Sequence, residues 1–191
     1  MSSFSTYLRL GYEHILSLSA LDHILFVIVL MAAYHTKHWL RIVIAVSLFT
    51  VGHSLSLILS SYNVVSLDKQ LVEFLIPLTI VLTAVYNLTK SGQQAQGNVK
   101  YGMALIFGLI HGFGFSSYIS MLMMGDGDLW SVMLPFNLGI ELGQLVIVLA
   151  TFVVMLIMLT FMRRKPRDWN FFVSGMAFGL SVVMCIENWP W

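Results

Sequence analysis

The side chains able to do chemistry in this chain are few, and they stand in segments otherwise apolar enough to cross a membrane. His111 is the plainest case, set between glycines in Phe107-Gly-Leu-Ile-His111-Gly-Phe-Gly-Phe-Ser116. Asp22 with His23, then His53, Glu73 and Glu141, occupy other apolar segments. An ionisable side chain near the bilayer centre costs several kcal/mol unless it faces protein and finds a partner, so each marks a functional-site hypothesis. His23, His53 and His111 with Asp22 and Glu141 form a ligand set for borderline divalent metals such as Ni²⁺, Co²⁺, Zn²⁺ or Fe²⁺. The one cysteine, Cys185, excludes an internal disulfide and any CxxC motif, and the lack of thiolates argues against a soft Cu⁺ cage.

Neighbouring residues extend the set. Asn137, Glu141 and Gln144 share a helix face at i, i+4, i+7, and Thr50, His53, Ser56 and Ser60 share another. Asp22, Asn137 or Gln144 could orient a ligating histidine through its second nitrogen. His14 and Glu73 are accessory candidates. Each residue also has a plainer reading. A histidine can bond a carbonyl across helices, Glu73 can complement a helix N-terminus, and Asp22 can cap one. His14, His35 and His38 read as interfacial. Met121, Met123 and Met124 read as packing rather than a copper path. Glu187, Asn188, Trp189 and Trp191 read as the polar end and aromatic belt of the last helix.

The elements that must position these residues are membrane spans. The chain has 191 residues, 58% hydrophobic and 10% charged, with mean hydropathy +0.85. That is too little charge to cover a soluble domain. The net charge of +1 favours neither nucleic acid nor a membrane-surface role. The N-terminal residues lack the continuous apolar core of a cleavable signal peptide. At about 20 apolar residues per span, the expectation is an all-α bundle of six transmembrane helices in one domain over 1–191. The spans fall near 20–35, 39–61, 70–89, 101–124, 130–162 and 169–187. Phe4 to Leu18 reads as a short amphipathic segment that lies at the interface or docks onto the bundle.

Eight of the ten basic residues, Lys37, Arg41, Lys90, Lys100, Arg163, Arg164, Lys165 and Arg167, fall in loops on one side. The positive-inside rule then places both termini outside the cytoplasm, with Asp126 and Asp128 in an outer loop. The fifth segment is too long for one span and should tilt, protrude or break, with Pro135 and Gly139 marking where. Pro77 should kink the third. Gly108/Gly112 and Gly139/Gly143 would hold His111 and Glu141 through close packing, whereas Gly175/Gly179 reads as simple helix packing. The ionisable groups of five helices could converge on one outward-opening pocket.

The segments Gly11-Tyr-Glu-His14, Asp22-His-Ile-Leu-Phe26, Phe49-Thr-Val-Gly-His-Ser-Leu-Ser-Leu57, Val72-Glu-Phe-Leu-Ile76, His111-Gly-Phe-Gly-Phe115 and Phe136-Asn-Leu-Gly-Ile-Glu-Leu-Gly-Gln144 together resemble the HupE/UreJ family of small bacterial membrane proteins. HGFGF and FNLGxELGQ are the most specific parts. The first motif diverges, since Ile15-Leu-Ser-Leu18 follows His14 where permease-type members carry HPxxGxDH. The resemblance implies a multi-pass protein of the bacterial inner membrane and a nickel or cobalt permease. It implies metal-handling roles for His14, Asp22, His23, His53, Glu73, His111 and Glu141.

Three functions compete. The first is a permease in which His23, His53 and His111 bind the ion while Glu141 and Asp22 balance charge and exchange protons. The second is an intramembrane zinc-type hydrolase of a lipid or membrane-embedded substrate, with Glu141 as general base. The third is a metal-free assembly subunit or a proton-coupled carrier. The partners are the lipid bilayer and a metal ion, not nucleic acid, and a homo-oligomer is an option.

Overall fold

The computed structural model describes residues 3–34, 38–89, 97–126 and 128–190, all helix and connecting turns with no strand among them. His35, Lys37 and Lys90 lie outside the described residues, as do the side chains of Met123, Met124 and Asp126. Seven α-helices follow in order: α1 (Ser3–Leu16), α2 (Leu21–Ala32), α3 (Trp39–Ser61), α4 (Lys69–Leu88), α5 (Asn98–Asp126), α6 (Leu129–Leu156) and α7 (Pro166–Glu187). A 3-10 turn, Leu18–Ala20, joins α1 to α2, and a π turn, Ile157–Phe161, extends α6.

Five of these elements are each long and apolar enough to cross a membrane. The first expected span is different. α2 has 12 residues, which at 1.5 Å rise reach about 18 Å and fall short of a bilayer core of about 30 Å. It completes a span only together with α1, to which it is bent by 58°. The bend sits at Ser17, in extended conformation, whose side chain accepts a bond from the Ser19 amide. The amphipathic N-terminal segment is therefore docked on the bundle, against α6, and with α2 has the form of a broken span or a re-entrant loop.

The break expected in the fifth segment is absent. α6 runs unbroken through Pro135 and Gly139, and α4 runs through Pro77. Proline in a buried membrane helix is tolerated where neighbouring groups re-satisfy the backbone.

Glycine decides which helices touch. The α3–α5 and α1–α6 pairs make the most extensive contacts of the bundle. A Cβ on Gly52 would meet the Leu105 carbonyl oxygen, one on Gly108 the Phe49 carbonyl oxygen, and one on Gly112 the His53 carbonyl and Ser56 Oγ. A Cβ on Gly11 would meet the Phe136 carbonyl oxygen, and one on Gly139 that of Leu8. These are backbone-to-backbone approaches that only small residues allow. Gly175 and Gly179 behave otherwise: both are exposed, and a Cβ on either meets nothing within 4 Å. Among the described residues neither seats a neighbouring helix.

Behind the glycine seams lies an aromatic core. Phe26 stacks on Phe49 with centroids 4.7 Å apart, and Phe115 on Phe136 at 5.2 Å. Toward the other end of α4, Lys100 is only 1% exposed rather than solvated in a loop. Its Nζ donates to Asn87 Oδ1 at 3.0 Å and stands 4.7 Å over the Tyr34 ring. Asn87 Nδ2 donates to the Val29 carbonyl, and Asn170 Nδ2 to that of Asn87. One polar cluster thus ties α2, α4, α5 and α7 together.

Candidate metal centre

The 58° bend turns the last turn of α1 and the first turn of α2 toward the same interior point. His14 comes from α1, Asp22 and His23 from α2, His53 from α3 and His111 from α5. Gly108 and Gly112 bring α5 against α3 at the level of His53. The ring centroids lie 4.9 Å apart for His14 and His23, 6.0 Å for His23 and His53, 6.2 Å for His14 and His53, and 5.1 Å for His23 and His111. One potential ligand atom from each of His14, His23 and His53 lies within 4.8 Å of the others.

Hydrogen bonds select the nitrogens that are left over. Asp22 Oδ1 accepts from the His23 Nδ1 at 3.0 Å and from the His23 amide at 2.9 Å, so the Nε2 lone pair of His23 faces inward. His111 Nδ1 donates to the Phe107 carbonyl at 2.7 Å, which assigns its lone pair to Nε2 as well. Nε2 of His14, His23, His53 and His111, and Nδ1 of His53, are buried with no protein partner. A buried polar atom left unsatisfied costs about 1–3 kcal/mol, and since neutral His53 has one N–H and one lone pair, four imidazole lone pairs are open to a water or an ion here. Neutral imidazole nitrogens around a buried point are a donor set for Zn²⁺, Ni²⁺ or Co²⁺. The residues fit such an ion.

A cavity of about 270 Å³ is lined by His14, Asp22, His23 and His111 and also takes in Glu73, Ser19 and Phe115; His53 is not on its lining and joins the group through its distance to His14 and His23. Ser19, Asp22, Glu73 and Ile76 also border an adjoining vestibule of about 420 Å³, which Glu187 and Asn188 complete. Glu73 stands on the shared rim, its carboxylate 3.5 Å from Lys69 Nζ. Sequence reading assigned Glu187 to a helix end and missed this position. Its distance along the chain from Glu73 gives no hint that α7 packs on α4.

Not all the expected ligands converge. Glu141 accepts a hydrogen bond from Ser47 Oγ and lines a separate groove with Thr50, Ser54 and Asn137. Gln144 Oε1 accepts from Thr50 Oγ1 at 2.9 Å. Glu141, Asn137 and Gln144 are not among the residues lining the histidine cavity. His14, expected at the interface, belongs to the cluster, with Phe115 packed on its ring at 4.0 Å. The signal for it was Gly11, one helical turn earlier, which seats α1 against α6.

Fold and site together define a multi-pass helical membrane protein built around a buried histidine centre. The family model described as HupE / UreJ protein matches residues 1–189, and the chain belongs to that family. No curated protein and no solved structure matches the chain.

Proposed function

We propose that this protein is a permease for a divalent transition-metal ion of the nickel or cobalt type, with His14, His23, His53 and His111 as its binding residues. The observation that carries this reading is the set of five buried, unpartnered imidazole nitrogens. Membership of the HupE/UreJ family supports the nickel or cobalt assignment. Asp22 holds His23 in its ligating tautomer and supplies one negative charge against the two positive charges of the ion. Glu73 and Glu187 line the route in and raise the local cation concentration. With the vestibule facing outward, both termini are extracytoplasmic and the ion enters from outside the bacterial inner membrane.

Tetrahedral ligands on bonds of about 2.1 Å stand about 3.4 Å apart, a separation open to nitrogens that lie within 4.8 Å of one another in His14, His23 and His53. A conducted ion must also leave, which a site with few protein ligands allows. Accumulation of ⁶³Ni in cells making the protein tests this directly. The expected result is uptake above background that falls at least tenfold in His53→Ala. Equal accumulation of nickel, cobalt and zinc by parent and variant rules the permease out.

A hydrolase reading retains one supporting observation, the presence of Glu73 in the histidine cavity. There it could act as general base to a metal-bound water. Glu141, which faces the other groove, is no longer the candidate for that role. A stoichiometric metal that survives prolonged chelation would favour the enzyme.

A further inference from the structure

Between α3 and α6 lies a groove of about 530 Å³ with apolar walls and a polar floor. Its walls include Val51, Leu55, Leu134 and Leu138, each roughly half exposed at 55%, 45%, 57% and 51%. On a membrane-spanning bundle these side chains meet acyl chains. The floor holds Glu141 with Ser47, Thr50, Ser54 and Asn137. Glu141 lies about 18 Å along α6 from Leu129, and Ser47 about 12 Å along α3 from Trp39, at 1.5 Å per residue. The carboxylate therefore sits at mid-membrane depth, in a groove that opens toward lipid.

We propose that Glu141 is a proton-exchange site, separate from the histidine centre, that loads and unloads through this groove. The donor set selects the ligand. No imidazole lines the groove, so a borderline transition metal has no nitrogen to bind. A hydrated divalent ion would lose its water there in return for a single negative charge. A sodium ion needs a shell of several oxygens, to which the side chains of Ser47, Ser54 and Asn137 could contribute, so sodium is the competing ligand that the labelling test separates. Asn137 Oδ1 is the buried acceptor left without a partner on the floor. One proton cancels the one charge and lets the carboxyl donate, and Asn137, one turn earlier on the same face of α6, offers an unpartnered acceptor in the same groove.

Glu141 is the one titratable group among the groove residues. Arg9, Tyr12, Glu13 and His14 of α1, Asp22 and His23 of α2, His53 of α3 and His111 of α5 do not line it. Both helices that flank the groove also serve the metal centre. α3 carries His53 about one turn after Thr50 and next to Ser54, and Gly139 and Gly143 of α6 seat the helix that carries His14. A change in the Ser47–Glu141 contact therefore bears on two ligands. This coupling rests on the permease reading; the protonation site does not.

The test uses the full-length protein in lipid vesicles and dicyclohexylcarbodiimide, an apolar reagent that modifies protonated carboxyls. The expected result is an adduct at Glu141 by peptide mass spectrometry, formed less as pH rises and absent from Glu141→Gln. A water-soluble carbodiimide is expected to label the site at least tenfold less. No adduct at any pH, equal labelling by the two reagents, or labelling suppressed by sodium at constant pH overturns the proposal. ⁶³Ni binding to Glu141→Gln is expected within twofold of the parent, and its loss would make Glu141 a metal ligand after all. An imposed pH gradient should change ⁶³Ni uptake in the parent and leave Glu141→Gln unaffected. Untreated parent vesicles, from a preparation in which Glu141 can be labelled, that bind ⁶³Ni yet carry none across would sink the permease reading and leave the proton site standing.

Discussion

Asp22 Oδ1 accepts hydrogen bonds from both the ring Nδ1 and the backbone amide of His23, at 3.0 and 2.9 Å. The two residues are adjacent in the first turn of α2, just after the bend, so the carboxylate satisfies a free amide of that turn and fixes the tautomer of the ligand. Carboxylates that orient a ligating histidine typically account for tenfold to a hundredfold in metal affinity. Asp22→Asn is therefore expected to weaken nickel binding by about that factor with little loss of fold, by competition titration with a chelating dye. Unchanged affinity would assign Asp22 to capping alone.

His14 separates the structure from the expectation of an interfacial residue. Its removal should act on metal binding as the removal of His53 does, because both contribute to the same trio of nitrogens. Elemental analysis of the purified protein, loaded with nickel and washed, should show at least a fivefold loss in His14→Ala and His53→Ala. His38→Ala should retain the parent's metal.

Proton competition gives a sign for pH dependence. Imidazole binds metal only when neutral, so protons compete with the ion for its nitrogen. Nickel affinity should fall on acidification and level off once the imidazoles are neutral. Calorimetric titration at three pH values checks this, and affinity that rises on acidification would contradict a histidine site.

The glycines make opposed predictions. Gly139→Leu would drive a side chain into the Leu8 carbonyl and lift α1 off α6, carrying His14 away. Gly175→Leu meets open space. The first should lower Tm in detergent and reduce metal loading, whereas the second should stay within about 0.5 kcal/mol of the parent.

The Lys100 cluster provides a stability test remote from the metal centre. Asn87→Ala removes the acceptor of a buried ammonium and the bond to Val29 together. Leaving such groups unpaired costs about 3 kcal/mol or more. Lys100→Met removes the charge along with its need and should cost less, as thermal unfolding of the two variants in detergent would show.

Much of the scaffold was legible before any coordinates. Hydropathy is local, so the spans near 39–61, 70–89, 130–162 and 169–187 match α3, α4, α6 with its π turn, and α7 to within a few residues. The chemistry of the histidines and carboxylates was equally plain, because an ionisable group in an apolar span has few explanations. The family motifs along the chain belonged to the same layer of information.

Only the tertiary structure decided which of these groups meet. The FNLGIELGQ stripe showed that Asn137, Glu141 and Gln144 share a face, but not that the face turns to Ser47 and Thr50 instead of the histidines. The three Gly-xxx-Gly pairs look alike as letters, yet two are filled by carbonyls and one faces open space. The break at Ser17 was hidden because α1 carries Arg9 and Glu13 and is too short to register as half a span. Composition and periodicity report how each helix prefers its surroundings, residue by residue. The rotation and pairing of helices depend on contacts between distant segments, as between Leu8 and Gly139 or Ser47 and Glu141, and a local pattern carries no term for them.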